Sequence, residues 1–130
     1  MASRDEKDLT PRVRDAWRAA RELYKTEHPT KPQPFLTCTY RSVAEQNELY
    51  AQGRFKPGKI VTNARGGQSN HNHNPSPAFD IAFKDKLGNI VWDVVYFRLF
   101  AEAGRRSGLS WGGDWVSFKD YPHFELLEGK

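Results

Sequence analysis

The chain has 130 residues, 38% of them hydrophobic and 13% aromatic, with a formal net charge of +4 and a mean hydropathy of −0.78. That length fits one domain, residues 1–130, large enough to bury roughly two-thirds of its unfolded surface with no help from a metal or a second chain. No run of about 18 apolar residues occurs, which argues against membrane insertion, and the Lys and Arg are dispersed, which leaves nucleic-acid binding without a motif.

The first eight residues are charged and lack an apolar stretch, so no secretory signal is expected. A single cysteine, Cys38, excludes an internal disulfide and fits a chain made in a reducing compartment. Thr10 and Pro11 form an N-cap and a first helical position, and Val13, Trp17, Ala20 and Tyr24 recur on one helical face. Three prolines make residues 28–34 a loop, and Phe35 to Tyr40 reads as a strand. Ser42 and Glu45 form a capping box for a second helix that stops near Gly53, which leaves Arg41 at a rigid joint.

Residues 56–77 are rich in Gly, Asn, Ser and Pro, and a segment that irregular inside a domain is usually functional or disordered. Ala78 to Phe83 reads as a strand, followed by a turn and a partner strand at Ile90 to Trp92. Asp93 caps a third helix with a face of Tyr96, Leu99, Phe100 and Ala103. Two short strands, Leu109 to Trp111 and His123 to Leu127, complete an α+β chain with a small, mostly antiparallel sheet.

Three separated pieces fit one metal site: His71, Asp80 and His123. Two imidazoles and one carboxylate hold zinc and leave a position open for water, which points to hydrolysis. His71 and Asp80 stand nine positions apart and meet only if a loop folds back over the strand. In that strand Phe79 and Ile81 point away from Asp80, toward a core. Asp120, three residues before His123, is the candidate general base, and Arg41 is the candidate for binding a substrate carboxylate or a developing oxyanion.

The stretches Tyr40-Arg41-Ser42, Ser69-Asn70-His71-Asn72, Ala78-Phe79-Asp80, Trp111-Gly112-Gly113-Asp114-Trp115 and Asp120-Tyr121-Pro122-His123-Phe124 resemble the VanY-like zinc peptidases. That group includes D-alanyl-D-alanine carboxypeptidases and the L-alanyl-D-glutamate endopeptidases of phage endolysins and bacterial wall enzymes; the last stretch resembles the endopeptidase branch. The resemblance implies zinc on His71, Asp80 and His123, with Asp120 as base. It implies a substrate surface of Arg41, Gln46, Ser69, Asp114 and Trp115. The implied fold is a compact α+β domain with helices on one side of the sheet. The implied partner is the stem peptide of peptidoglycan, bound by a monomer that acts on the wall after release from the cytoplasm or from a virion. One departure makes His73 a rival to His71. The family's seven-residue spacing to the aspartate fits His73, whereas the preceding Ser and following Asn fit His71. Other readings are a carboxypeptidase of the same family, a thiol amidase using Cys38, and a non-catalytic zinc-stabilised binding module.

Overall fold

Helix α1 (Pro11–Glu27) carries Pro11 in its first turn and buries Val13, Ala16, Trp17, Ala20 and Tyr24, the face its periodicity predicts. Thr10 stands at the N-cap, but its hydroxyl caps nothing. Its backbone N–H instead donates to Ser76 O at 2.9 Å, and Ser76 N–H donates to Asp8 O at 2.7 Å, which ties the start of the chain to the end of the long loop. The computed structural model describes residues 2–126; Leu127, expected in the last strand, lies outside them.

The sheet has five strands: β1 (Gln33–Cys38), β2 (Ala78–Lys84), β3 (Ile90–Val91), β4 (Ser110–Trp111) and β5 (His123–Glu125). Their order is β1-β2-β5-β4, with β3 paired to the far end of β2, and every pairing is antiparallel. Strand β1 begins two residues earlier than expected and ends at Cys38 rather than Tyr40. Pro34 is tolerated because β1 lies at the edge of the sheet, where a missing N–H costs little. Beyond Cys38 the chain leaves β2 and pairs with the N-terminal segment instead, through Thr39 N–H to Ser3 O at 2.7 Å and Ser3 N–H to Tyr40 O at 2.8 Å.

The pleat sorts side chains by face. Phe79, Ile81 and Phe83 of β2, Trp111 of β4 and Phe124 of β5 point to a core that α1 and α3 (Val94–Arg106) cover. Phe124 stacks on Phe79 with ring centroids 5.7 Å apart and meets Phe100 edge-on at 5.0 Å. Helix α3 buries Phe97, Phe100, Ala101, Ala103 and Gly104. Of the expected stripe, Phe100 and Ala103 are buried, Tyr96 and Leu99 are partly buried flanks, and Phe97 takes the centre against Phe83 at 4.9 Å.

Helix α2 (Val43–Ala51) opens with the predicted capping box on Ser42 and Glu45, yet buries only Gln46. It organises the irregular segment through polar side chains. Gln46 Nε2 donates to Ala64 O at 2.8 Å, and Asn47 Oδ1 accepts from Gly66 N–H at 2.8 Å. Just past the helix, Arg54 Nη1 donates to Thr62 O at 3.0 Å. Among the described residues no helix is long and apolar enough to cross a membrane.

Truncating the aromatic behind the cleft is expected to be costly. Phe124→Ala should lower stability by about 3–5 kcal/mol, read as a fall in the urea midpoint with an unchanged m-value.

Candidate metal centre and cleft

The face of the sheet opposite the core carries the polar residues. Asp80 of β2 pairs directly with His123 of β5 on one side and with Cys38 of β1 on the other. Directly opposed residues in antiparallel strands hold their Cβ atoms about 4.5–5.5 Å apart, so register alone brings these side chains together. A bulge between Leu36 and Cys38 sets that register; without it Thr37 would face Asp80.

His71 arrives from the long loop in a single 3-10 turn, Asn70–Asn72. Ser69 Oγ accepts from His71 N–H at 3.2 Å and starts the turn. Asn72 Nδ2 donates to Arg41 O at 2.9 Å, and Arg41 N–H donates to His71 O at 2.8 Å, so the turn is locked to the joint between β1 and α2. His73 follows the turn and is exposed, away from the cluster.

Three donor atoms converge. His71 Nε2 is 3.1 Å from Asp80 Oδ1 and 3.2 Å from His123 Nδ1, and His123 Nδ1 is 3.3 Å from Asp80 Oδ1. A tetrahedral zinc with bonds of about 2.0–2.1 Å has ligand–ligand edges of about 3.3 Å, so the triangle matches one face of such a site. The ligand face of each ring is defined by what the other nitrogen does. His71 Nδ1 lies 2.9 Å from Thr39 O, and a carbonyl only accepts, so in the neutral ring the proton sits on Nδ1 and the Nε2 lone pair faces the cluster. His123 is turned the other way, with Nε2 2.6 Å from Glu125 Oε1. Neither Thr39 nor Glu125 was identifiable as a partner from the sequence.

A cavity of about 720 Å³ opens over this triangle, lined by Arg41, Val61, Ser69, Trp115 and Asp120 among others. Carboxylate oxygens of Asp80 and Asp120 and a ring nitrogen of His123 all lie within 4.8 Å of one another. Burial and the neighbouring Asp80 charge push the Asp120 carboxyl above the ordinary range, as suits a group that takes up and releases a proton. Two glycines allow this approach. A Cβ on Gly112 would sit 2.3 Å from Asp120 O, and one on Gly113 would sit 2.3 Å from the Trp111 ring. Trp115 forms one wall, its ring 5.1 Å from that of His123.

Arg41 Nη2 is 3.6 Å from Asp80 Oδ2, and Arg41 Nη1 donates to Gln46 Oε1 at 2.8 Å. Gln46 is fully buried with both ends of its amide engaged, so it holds Arg41 in place and has no face left for substrate. Asp114 also departs from expectation. Its exposed carboxylate pairs with Arg105 at 2.9 Å, and it does not line the cavity. Cys38 is 5% exposed, lies 3.7 Å from Nδ1 of His71 and does not line the cavity, which removes the access a thiol nucleophile needs.

Burial disfavours the charged imidazoles, but the Asp80 carboxylate, joined at His123 by Glu125, outweighs it, raising His71 to about 10 and His123 to about 9. Both values exceed the ordinary imidazole value of about 6.5. In the metal-free protein these two rings therefore stabilise the fold fully below about pH 6.5, and that contribution is lost as pH rises through 9 and 10. The melting temperature of chelator-stripped protein is expected to fall between pH 6.5 and 10, and His123→Gln should flatten the profile; a slope unchanged by the substitution would refute the assignment.

Residues 62–126 match a family model described as D-alanyl-D-alanine carboxypeptidase. The chain is 46% identical over 101 residues to the peptidoglycan L-alanyl-D-glutamate endopeptidase CwlK of Bacillus subtilis (strain 168); the match takes in 71% of this chain but 59% of that protein's length. The fold is similar to the L-Ala D-Glu endopeptidase ChiX of Serratia marcescens, with a TM-score of 0.66 at 20% identity over 98% of this chain and 89% of that one. It is similar to the vancomycin resistance D,D-pentapeptidase VanY in complex with Zn(II), with a TM-score of 0.65 at 15% identity over 91% of this chain and 72% of that one. The matched stretch runs through His71, Asp80, Asp120 and His123, and the chain belongs to the D-alanyl-D-alanine carboxypeptidase family of peptidases.

Proposed function

We propose that this protein is a zinc peptidase that hydrolyses the stem peptide of peptidoglycan between L-alanine and D-glutamate. The observation that carries the metal is the triangle of His71 Nε2, Asp80 Oδ1 and His123 Nδ1, with sides of 3.1 to 3.3 Å. Zinc, when bound there, would supply a water of lowered pKa and polarise the scissile carbonyl. The sequence relation to an L-alanyl-D-glutamate endopeptidase supports that bond over a terminal D-alanine. An endolysin setting, in which the enzyme reaches the wall at lysis, belongs to the same proposal.

Each protein group then has a task. Asp120, buried beside the ligand cluster, takes the proton released as the carbonyl is attacked and returns it to the departing amine. Arg41, held by Gln46, presents a fixed guanidinium to a substrate carboxylate or to the oxygen that gains charge. Trp115 provides a flat wall that excludes water from one flank.

Two experiments test this reading. Mass spectrometry of digested peptidoglycan should show new N-terminal D-glutamate ends; loss of terminal D-alanine alone would convert the reading to a carboxypeptidase. His71→Ala, Asp80→Ala and His123→Ala should each lose bound zinc and wall hydrolysis, whereas His73→Ala should keep both. Asp120→Asn should retain zinc and lower kcat by about 10²–10⁴-fold. Full activity in that variant would remove Asp120 from the mechanism.

A further inference from the structure

His71 and His123 present different ring nitrogens to the same centre, Nε2 from one and Nδ1 from the other. The choice matters for His123. A half-turn of its ring about χ2 would place Cδ2 where Nδ1 now stands and remove the donor from the triangle. Two residues along β5, Glu125 lies on the same face as His123. Its cross-strand neighbours are Ala78 and Ser110, both small, which leaves room for the carboxylate to fold back along the strand. Glu125 Oε1 is 2.6 Å from His123 Nε2 and also accepts from Asn70 Nδ2 at 3.0 Å. A carboxylate only accepts, so Nε2 carries the hydrogen. Asn70 directly precedes His71, so this bridge links the loop that brings one imidazole to the strand that brings the other.

We infer that Glu125, clamped by Asn70, is a positioning residue that selects the Nδ1 face of His123 for the metal and locks the loop carrying His71 onto β5. The inference rests on the zinc reading above and assigns Glu125 no contact with the reacting atoms. In the flipped ring a C–H would replace N–H opposite the carboxylate, leaving Glu125 and Asn70 bonded only to each other. The bridge therefore makes the metal-competent rotamer the satisfied one. Its removal acts on metal affinity first and on turnover only through it.

The test is zinc affinity by competition with a chromophoric chelator, together with long-range ¹H–¹⁵N correlation of the zinc-loaded protein. Wild-type His123 should show a metal-bound Nδ1 and a protonated Nε2. Glu125→Ala should weaken zinc binding by about 10–100-fold, with the His123 signals no longer reporting a single Nδ1-bound ring. Glu125→Gln, which still offers an oxygen to Nε2–H, should stay near wild type, and Asn70→Ala should fall between. If Glu125→Ala does not fold, Glu125→Asp keeps the charge while drawing the oxygen back by one methylene, and it should show the same loss.

Wild-type zinc affinity in a folded Glu125→Ala or Glu125→Asp, a change in KM alone, or a wild-type His123 bound through Nε2 would overturn the inference. If His71→Ala and His123→Ala lose zinc while the Glu125 variants keep it, only this inference falls. If those two histidine variants also keep it, the zinc reading falls with it.

Discussion

The pairing of Asp80 with His123 across β2 and β5 is the constraint on which the rest of the site depends. The next pair along the same ladder is Phe79 with Phe124, both fully buried in the core. Because side chains alternate, a one-residue slip of β2 would drive Asp80 inward and expose Phe79, and a slip of β5 would do the same to His123 and Phe124. Burying each aromatic is worth roughly 1.5–3 kcal/mol, and that hydrophobic term enforces the register. The polar triangle therefore inherits its geometry from a core on the opposite face of the sheet.

Holding a carboxylate and two imidazoles out of water carries a desolvation cost that mutual contact must offset. Here each ring has a partner on its far side, Thr39 O for His71 and Glu125 for His123, and Arg41 lies beside the second oxygen of Asp80. Burial would raise the Asp80 carboxyl, but the charges of His71 and His123 and their hydrogen bonds hold it far below the usual range. A cation binding there would displace the protons that these contacts favour on the rings. Asp120 differs from Asp80, since its burial and the Asp80 charge both act to keep a proton on it. Two acids in one cleft are thus driven in opposite directions, which suits the ligand role proposed for Asp80 and the proton-carrying role proposed for Asp120.

What the sequence made legible was local. Phe79-Asp80-Ile81 and His123-Phe124 declare an alternating pattern within a few residues, Ser42 and Glu45 declare a helix start, and the resemblance of Ser69-Asn70-His71 points to the third proposed ligand. What it hid depends on distant partners. Gln46 looks like any polar helix residue until Arg41 and Ala64 are seen to use both ends of its amide. Asp114 sits in a stretch that lines the cleft, yet a surface arginine on α3 takes its carboxylate. Glu125 carries no signal of its own, because its role arises from a residue 55 positions earlier. The limits of β1 were hidden for the same reason, since edge position and the pairing with Ser3 decide them.

The two sides of the cleft are built by different physics. Strands β2 and β5 rest on close-packed aromatics and transmit little freedom to Asp80 and His123. The wall formed by residues 61–70 has no such backing: helix α2 buries only Gln46, and side-chain bonds to single backbone groups, such as those at Ala64 and Gly66, hold the loop. Regions secured by few apolar contacts open at lower free energy than the core. In the proposed reaction, substrate access would fall to the loop side, while Asp80 and His123 stay on the sheet. Of the three proposed ligands, His71 belongs to the looser side, and its turn is fastened by Ser69 at its start, by Asn72 to Arg41 and by its own carbonyl to the same residue. Those bonds extend the rigidity of the sheet to a residue that the sheet itself does not carry.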